Sequence, residues 1–140
     1  MPDTPPPDRP SRNSAPRASP HAAYLAGLPA DQRKALEVLR LQLLDRLPNA
    51  TQVLSHGMPA FQLKGGHIAA GFSAWKFHLS LYAFSSTVFP QIEDMLEGWS
   101  HTKSTLHFTP EKPVPDAILN RFLEIRLAEI AERQSRGKRA

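Results

Sequence analysis

Polar side chains that can bind ligands or exchange protons recur at every second position between residues 76 and 82. They are Lys76, His78, Ser80 and Tyr82. Alternate residues of a β-strand point to the same face, so a strand here places all four on one side of a sheet. The intervening apolar residues, Phe77, Leu79 and Leu81, are then predicted to point inward, into a hydrophobic core.

A second short run, residues 105–108, alternates in the same way and adds polar groups to that face. Thr105 and His107 are expected beside the first stripe, and Lys103 precedes them in a hydroxyl-rich loop. Imidazole, phenol, hydroxyl and ammonium groups together can hold an anion or a polar molecule. The predicted ligand-binding residues are therefore Lys76, His78, Tyr82, Lys103, Thr105 and His107. The alternative is a sheet face that is polar because it meets water.

The pattern does not favour an enzyme. Ser80 and His78 are neighbours at i and i+2, but no orienting acid is evident near them. The chain shows no Ser-His-Asp arrangement, no paired carboxylates and no nucleotide fingerprint. We therefore predict no catalytic residues, while a protein partner is a further alternative to a small ligand. Trp75 and Trp99 are expected to pack, and an exposed Trp75 would indicate a partner surface.

Six histidines raise the question of a metal site, although their spacing does not define one. No two of them stand at i,i+2 on a strand or i,i+4 on a helix. A site would have to assemble across strands, and its weak candidates are His56, His78 and His107. The absence of cysteine rules out thiolate ligands and disulfides.

The charge of the chain is concentrated near its ends. Its formal net charge is +4, but residues 133–140 carry four basic residues and no acid. Residues 21–132 carry ten basic and eleven acidic residues, a balance of −1. A near-neutral folded part does not favour specific nucleic-acid binding. The sequence has neither a signal-peptide pattern nor a membrane span, so we expect a cytoplasmic protein.

Hydrophobic spacing predicts an α+β fold. The leucines at 36, 39, 43 and 47 predict a helix over 30–47. Strands are predicted at 51–55, 60–64, 67–75, 77–82 and 105–108, with a turn at Gly57-Met58-Pro59 and a hairpin turn at Gly65-Gly66. A helix carrying Val88, Ile92 and Met95 and a last one beginning near Pro115 complete the order α-β-β-β-β-α-β-α. Short connections favour a mostly antiparallel sheet of about five strands in a two-layer sandwich with the helices.

The predicted boundaries follow the composition. Seven of the fourteen prolines lie in residues 1–20, which are predicted to be a disordered tail. The domain is predicted over 21–132, followed by a basic C-terminal tail over 133–140.

Four sequence blocks in order resemble the YdhG-like family of domains of unknown function. They are the runs at 24–29, 55–61, 76–82 and 102–108, and the resemblance extends over about residues 22–130. The resemblance implies a frataxin-like α+β fold. Some members of the family are described as intracellular iron chaperones, so it also implies iron as a metal that this chain handles.

Overall fold

A five-stranded antiparallel sheet, in which each strand pairs with the next along the chain, forms the centre of the protein. The structure is a computed structural model, and it describes residues 20–139, with side chains up to residue 136. The strands are β1 (Thr51–Ser55), β2 (Met58–Gln62), β3 (Ile68–Ala74), β4 (Leu79–Tyr82) and β5 (Thr105–Phe108). The predicted α+β class, with an antiparallel five-stranded sheet packed by helices, is confirmed.

Within the described residues, three α-helices and one 3₁₀ helix accompany the sheet. The α-helices are α1 (Pro20–Ala26), α2 (Ala30–Arg46) and α3 (Asp116–Arg139), and the 3₁₀ helix is Phe89–Met95. The leucine spacing that predicted α2 is confirmed, since Leu36, Leu39 and Leu43 are buried. The sequence analysis did not predict α1, whose seven residues are too few to show a clear helical period.

One face of the sheet packs into the hydrophobic core with the helices. The register pairs Phe72 with Leu81 and Leu81 with Leu106, and all three are fully buried. They belong to the same core cluster as the leucines of α2 and the apolar side chains of α3. Because side chains alternate along a strand, the residues between them point to the opposite face, which carries the polar stripe.

The turn between β3 and β4 overturns one prediction. The amide of Trp75 donates a hydrogen bond to the carbonyl of His78 at 2.8 Å, which closes a tight turn over 75–78. Strand β4 therefore begins at Leu79, and Phe77 lies at the tip of the turn with 82% of its surface exposed. The inward placement of Leu79 and Leu81 is confirmed, whereas that of Phe77 is wrong.

Other differences concern the connections. The turn between β1 and β2 is formed by His56 and Gly57, both at positive φ, so that Met58 and Pro59 belong to β2. Gly65 and Gly66 do form the next turn at positive φ, which β-carbons would strain.

The helical segments also differ from the prediction at two places. The segment expected to be an α-helix around Ile92 is a 3₁₀ helix, with Pro90 in its first turn and Ile92 itself outside helical geometry. Helix α3 continues through Arg139, past the boundary predicted at residue 132. The predicted N-terminal tail lies, up to residue 19, outside the described residues. Within the described part, no helix has the length and apolarity needed to cross a membrane.

Candidate ligand-binding face

Two rows of residues cross the outer face of the sheet, opposite the helices. The first row joins Ser73, Ser80 and His107 on β3, β4 and β5. The second joins Gly71, Tyr82 and Thr105 on the same three strands. Because direct cross-strand neighbours lie close together, the polar groups of β4 and β5 form one continuous surface.

Tyr82 is held in place by two neighbours on this face. Its hydroxyl lies 2.8 Å from Ser73 Oγ and accepts a hydrogen bond from Trp75 Nε1 at 3.2 Å. Trp75 in turn stacks on His78, with ring centroids 6.2 Å apart. The indole is about half exposed, which the sequence analysis associated with a partner surface.

His78 and His107 bring two imidazoles together at one end of the face. Their ring centroids are 4.6 Å apart, and His107 Nδ1 lies 3.1 Å from Ser100 Oγ. Burial lowers the pKa of His107, and the nearby His78 and His101 lower it further because they disfavour a second positive charge. His107 is therefore neutral at pH 7 and can either donate or accept hydrogen bonds.

The segment before β5 places Ser100 beside His107. The amide of His107 donates to the carbonyl of Ser100, and the amide of Thr102 donates to that of Thr105, both at 2.8 Å. These bonds fold residues 100–107 into a small hairpin along the outer edge of β5. Ser100 thus comes to this face through backbone pairing.

Lys112 completes a pocket with the two histidines. The pocket has a volume of about 270 Å³ and is formed by His78, Trp99, Ser100, His107, Phe108, Thr109 and Lys112, which we call the histidine pocket. The Lys112 ammonium lies 4.3 Å from the centroid of Trp99 and donates to the carbonyl of Gly98 at 2.8 Å. Neither contact neutralises its charge, and among residues 20–136 no carboxylate lines the pocket.

Ser80 lies at the centre of the first row with an unused hydroxyl. Its side chain is 1% exposed, and Oγ has no hydrogen-bond partner among the described residues. Ser73, its cross-strand neighbour, is equally buried but is bonded to Tyr82. The predicted water-exposed face is therefore partly closed: both serines are buried, with Tyr82 bonded to Ser73 and His107 paired across the strands with Ser80.

The structure brings together four of the six predicted ligand-binding residues. His78, Tyr82, Thr105 and His107 share the outer face. Lys76 lies exposed in the β3–β4 turn, with Nζ 5.3 Å from the ring of Phe77, and Lys103 lies exposed in the 102–105 turn. Whether any of them binds a ligand stays a prediction.

The three candidate metal ligands do not form a site. His56 lies in the β1–β2 turn, two strands away from the pair formed by His78 and His107. Among the described residues, no group of three or more histidine, aspartate or glutamate side chains could hold a metal ion. The carboxylates of α2 belong to no such group, and Glu37 is in addition paired with Arg40 at 2.8 and 2.9 Å. Hard cations require clustered oxygen ligands, and these residues do not fit such a site.

Sequence reasoning missed several residues of the site. Lys112, Ser100 and Ser73 were not among the predicted ligand-binding residues, and Trp99 was assigned to packing. Lys112 lies in a proline-containing turn, and Ser100 lies in a short loop. Neither segment has a hydrophobic period that would indicate which way its side chains point. Ser73 alternates with Phe72 on β3, and this alternation could have indicated that it faces Ser80.

Comparisons with known proteins provide independent support for the fold. No protein-family model matches the chain, and no curated protein matches it. Among solved structures, it is similar to a DUF1801-family protein (YdhG) from Bacillus subtilis. The TM-score is 0.72 at 23% sequence identity, and the match covers 79% of this chain and 90% of that chain. The similarity establishes a YdhG-like fold.

Proposed function

We propose that this domain is a non-enzymatic binding module whose histidine pocket takes a small anionic ligand. The observation that carries the proposal is the set of polar groups lining one pocket: two imidazoles, a lysine ammonium and the hydroxyls of a serine and a threonine, with no carboxylate from the part of the chain that the structure describes. A carboxylate in the lining would repel an anion and would already neutralise Lys112. Its absence from the lining leaves the positive charge available to a ligand.

The donors of the pocket can satisfy such a ligand. A lysine ammonium has three donors, and the structure shows one of them in use, on the Gly98 carbonyl. His78 and His107 can each add an N–H donor when a ring carries a proton there. Charge-assisted hydrogen bonds of this kind are about twice as strong as neutral ones. The volume of about 270 Å³ suits a phosphate, a sulfate or a small carboxylate.

The test is titration of the full chain with phosphate, sulfate and acetate, followed by NMR. We expect the largest shift changes at His78, His107 and Lys112. Lys112→Met should weaken sulfate binding by about tenfold, because it removes the lysine ammonium that lines the pocket. Lys64→Met removes the same charge from the exposed β2–β3 turn and should have no effect. If both variants weaken sulfate binding equally, or if the chemical-shift changes lie away from the pocket, sulfate is held only by nonspecific electrostatic attraction, which would contradict the proposal.

Iron handling is a second candidate that rests on the family resemblance. The outer surface of α2 carries Asp31, Glu37 and Asp45 alternating with basic residues, and this arrangement does not support it. Anaerobic calorimetry with Fe(II) tests it directly. Binding tighter than about millimolar would support iron as cargo, and weaker binding would rule it out.

A protein partner is the third candidate, and the aromatic tip of the β3–β4 turn favours it. Phe77 is 82% and Trp75 51% exposed, and both lie next to His78. Peptide display on the full chain, with counter-selection on Phe77→Ser, tests this candidate. Peptides that require Phe77 would support it, whereas selection of peptides that bind both proteins equally would contradict it.

A further inference from the structure

We propose that the outer face of α2 is a self-complementary docking surface for a second copy of this chain, paired antiparallel about a two-fold axis. The proposal is independent of the histidine pocket, which lies on the opposite layer of the fold. It concerns residues Lys34, Val38, Leu41 and Asp45, which follow each other at steps of four, three and four and so share one stripe of the helix.

The stripe points away from the sheet. The buried residues of α2, Leu36, Leu39 and Leu43, occupy the opposite side of the helix. Val38 and Leu41 are 48% and 52% exposed, and both are among the five large apolar side chains that are exposed in the described residues. Beside them, between α1 and α2, lies a groove of about 740 Å³. Its apolar lining includes Ala22, Ala26 and Ala30 as well as Val38 and Leu41, and its charged lining consists of Arg33, Lys34, Glu37 and Arg40. Val38 and Leu41 are thus exposed apolar neighbours at the edge of a groove with a mixed lining, and exposed apolar side chains that adjoin each other mark an interaction site more often than scattered ones do.

The order of side chains along the stripe identifies the occupant. When two copies of a helix pair antiparallel about a two-fold axis, residues equidistant from the axis face each other. An axis passing between residues 39 and 40 places Val38 against the second copy's Leu41. The same axis places Lys34 against the second copy's Asp45. The two-fold axis therefore generates two apolar contacts between Val38 and Leu41 and two ion pairs between Lys34 and Asp45.

The charges of the stripe are available for this pairing. Neither Lys34 nor Asp45 forms a salt bridge or a side-chain hydrogen bond within the described residues. The neighbouring charges of α2 are already used: Glu37 pairs with Arg40, and Arg46 pairs with Asp116 of α3. Glu37, Arg40 and Arg46 are therefore paired within the described part of the fold, whereas Lys34 and Asp45 on the outer stripe are not.

Sedimentation equilibrium of the full chain tests the proposal. The protein concentration runs from roughly 10 µM to 1 mM, which covers the dissociation constants expected for a small interface. We expect concentration-dependent dimers. Leu41→Asp should weaken association by about tenfold or more, because it places a charge in the apolar centre. A wild type that stays monomeric at 1 mM, or a Leu41→Asp variant that associates as well as wild type, would overturn the proposal.

Charge reversal supplies the specific readout. Lys34→Glu and Asp45→Lys should each weaken the dimer, because each brings like charges together at two places. The double variant restores both pairs with reversed sign and should regain wild-type association. Lys64→Glu, on the β2–β3 turn, is the control for net charge. Failure of the double variant to recover, with its helix content unchanged by circular dichroism, would contradict the antiparallel pairing.

Discussion

The imidazoles of His78 and His107 face each other with their centroids 4.6 Å apart, and this distance links anion binding to protonation. Two positive rings so close repel each other, and burial adds to the cost of charging His107. An anion in the pocket opposes that effect, because it favours the protonated form of His107.

Sulfate binding should therefore strengthen as the pH falls. Sulfate keeps its charge between pH 5 and 8, so the change reports on the protein. The pKa of His107 is lowered from 6.5 in the free protein, so it binds a proton with the ligand. The groups facing it are His78, His101 and the Lys112 ammonium. Affinity should rise by up to about tenfold per pH unit, the limit for one linked proton.

Calorimetry in buffers of different ionisation enthalpy measures that proton uptake. His107→Gln keeps a hydrogen-bonding side chain but cannot take up the proton, so its sulfate affinity should be nearly independent of pH. His67→Gln, in the segment before β3, is the matched control and should keep the wild-type slope. Sulfate binding with no proton uptake in the wild type would contradict the coupling.

The two cross-strand serines should respond oppositely to alanine. Ser73 Oγ is hydrogen bonded to Tyr82, so Ser73→Ala should cost ~1 kcal/mol in the free energy of unfolding. Ser80 Oγ is buried without a partner, so Ser80→Ala should raise that free energy by ~1 kcal/mol through removal of an unsatisfied group. Urea unfolding of both variants measures the difference. A loss in Ser80→Ala as large as that in Ser73→Ala would mean that its hydroxyl has a partner in solution.

Much of the fold was predictable from the sequence because its signals were local and periodic. The leucines of α2 repeat at helical spacing, and residues 105–108 alternate over the length of β5. Phe77 was misplaced because alternation cannot show where a strand starts. The hydrogen bond from the Trp75 amide to the His78 carbonyl starts the turn there.

The site was less predictable because it depends on contacts between distant segments. His78 and Tyr82 were found from their alternation on β4, but Lys112 reaches the pocket through a turn and a contact with Trp99. His21 shows the same limit. It is fully buried, and its Nε2 lies 2.9 Å from the carbonyl oxygen of Ala60, yet nothing in its sequence surroundings distinguishes it from an exposed histidine.

The buried position of His21 should make stability depend on pH. Desolvation lowers its pKa below 6.5, so the unfolded chain takes up a proton that the folded chain resists. The free energy of unfolding should then be highest above pH 6.5 and fall as the pH drops below it, with a slope under about 1.4 kcal/mol per pH unit for this group. His107, whose pKa is also lowered, adds to the same trend.

Urea unfolding at pH 7.5, 6.5 and 5.5 measures that slope. His21→Gln lowers stability at every pH but should reduce the slope, and His67→Gln should leave it unchanged. Loss of the packing of His21 against Phe61 and Phe72 lowers stability at every pH, whereas loss of its titration changes the slope. The slope therefore distinguishes the two effects. A His21→Gln variant with the full wild-type slope would place the titrating group elsewhere.

Gly71 should not tolerate alanine, because the ring of Phe84 lies directly over it. A β-carbon at residue 71 would be 2.7 Å from Phe84 Cε1 and 3.0 Å from the carbonyl oxygen of Pro59. Gly71→Ala should therefore cost ~1–3 kcal/mol in the free energy of unfolding through overpacking. At Gly27 the nearest atom would be 3.8 Å away, so Gly27→Ala should be nearly neutral. In a Phe84→Ala background the cost of Gly71→Ala should shrink, and an unchanged cost in this double-mutant cycle would assign the strain to Pro59 instead.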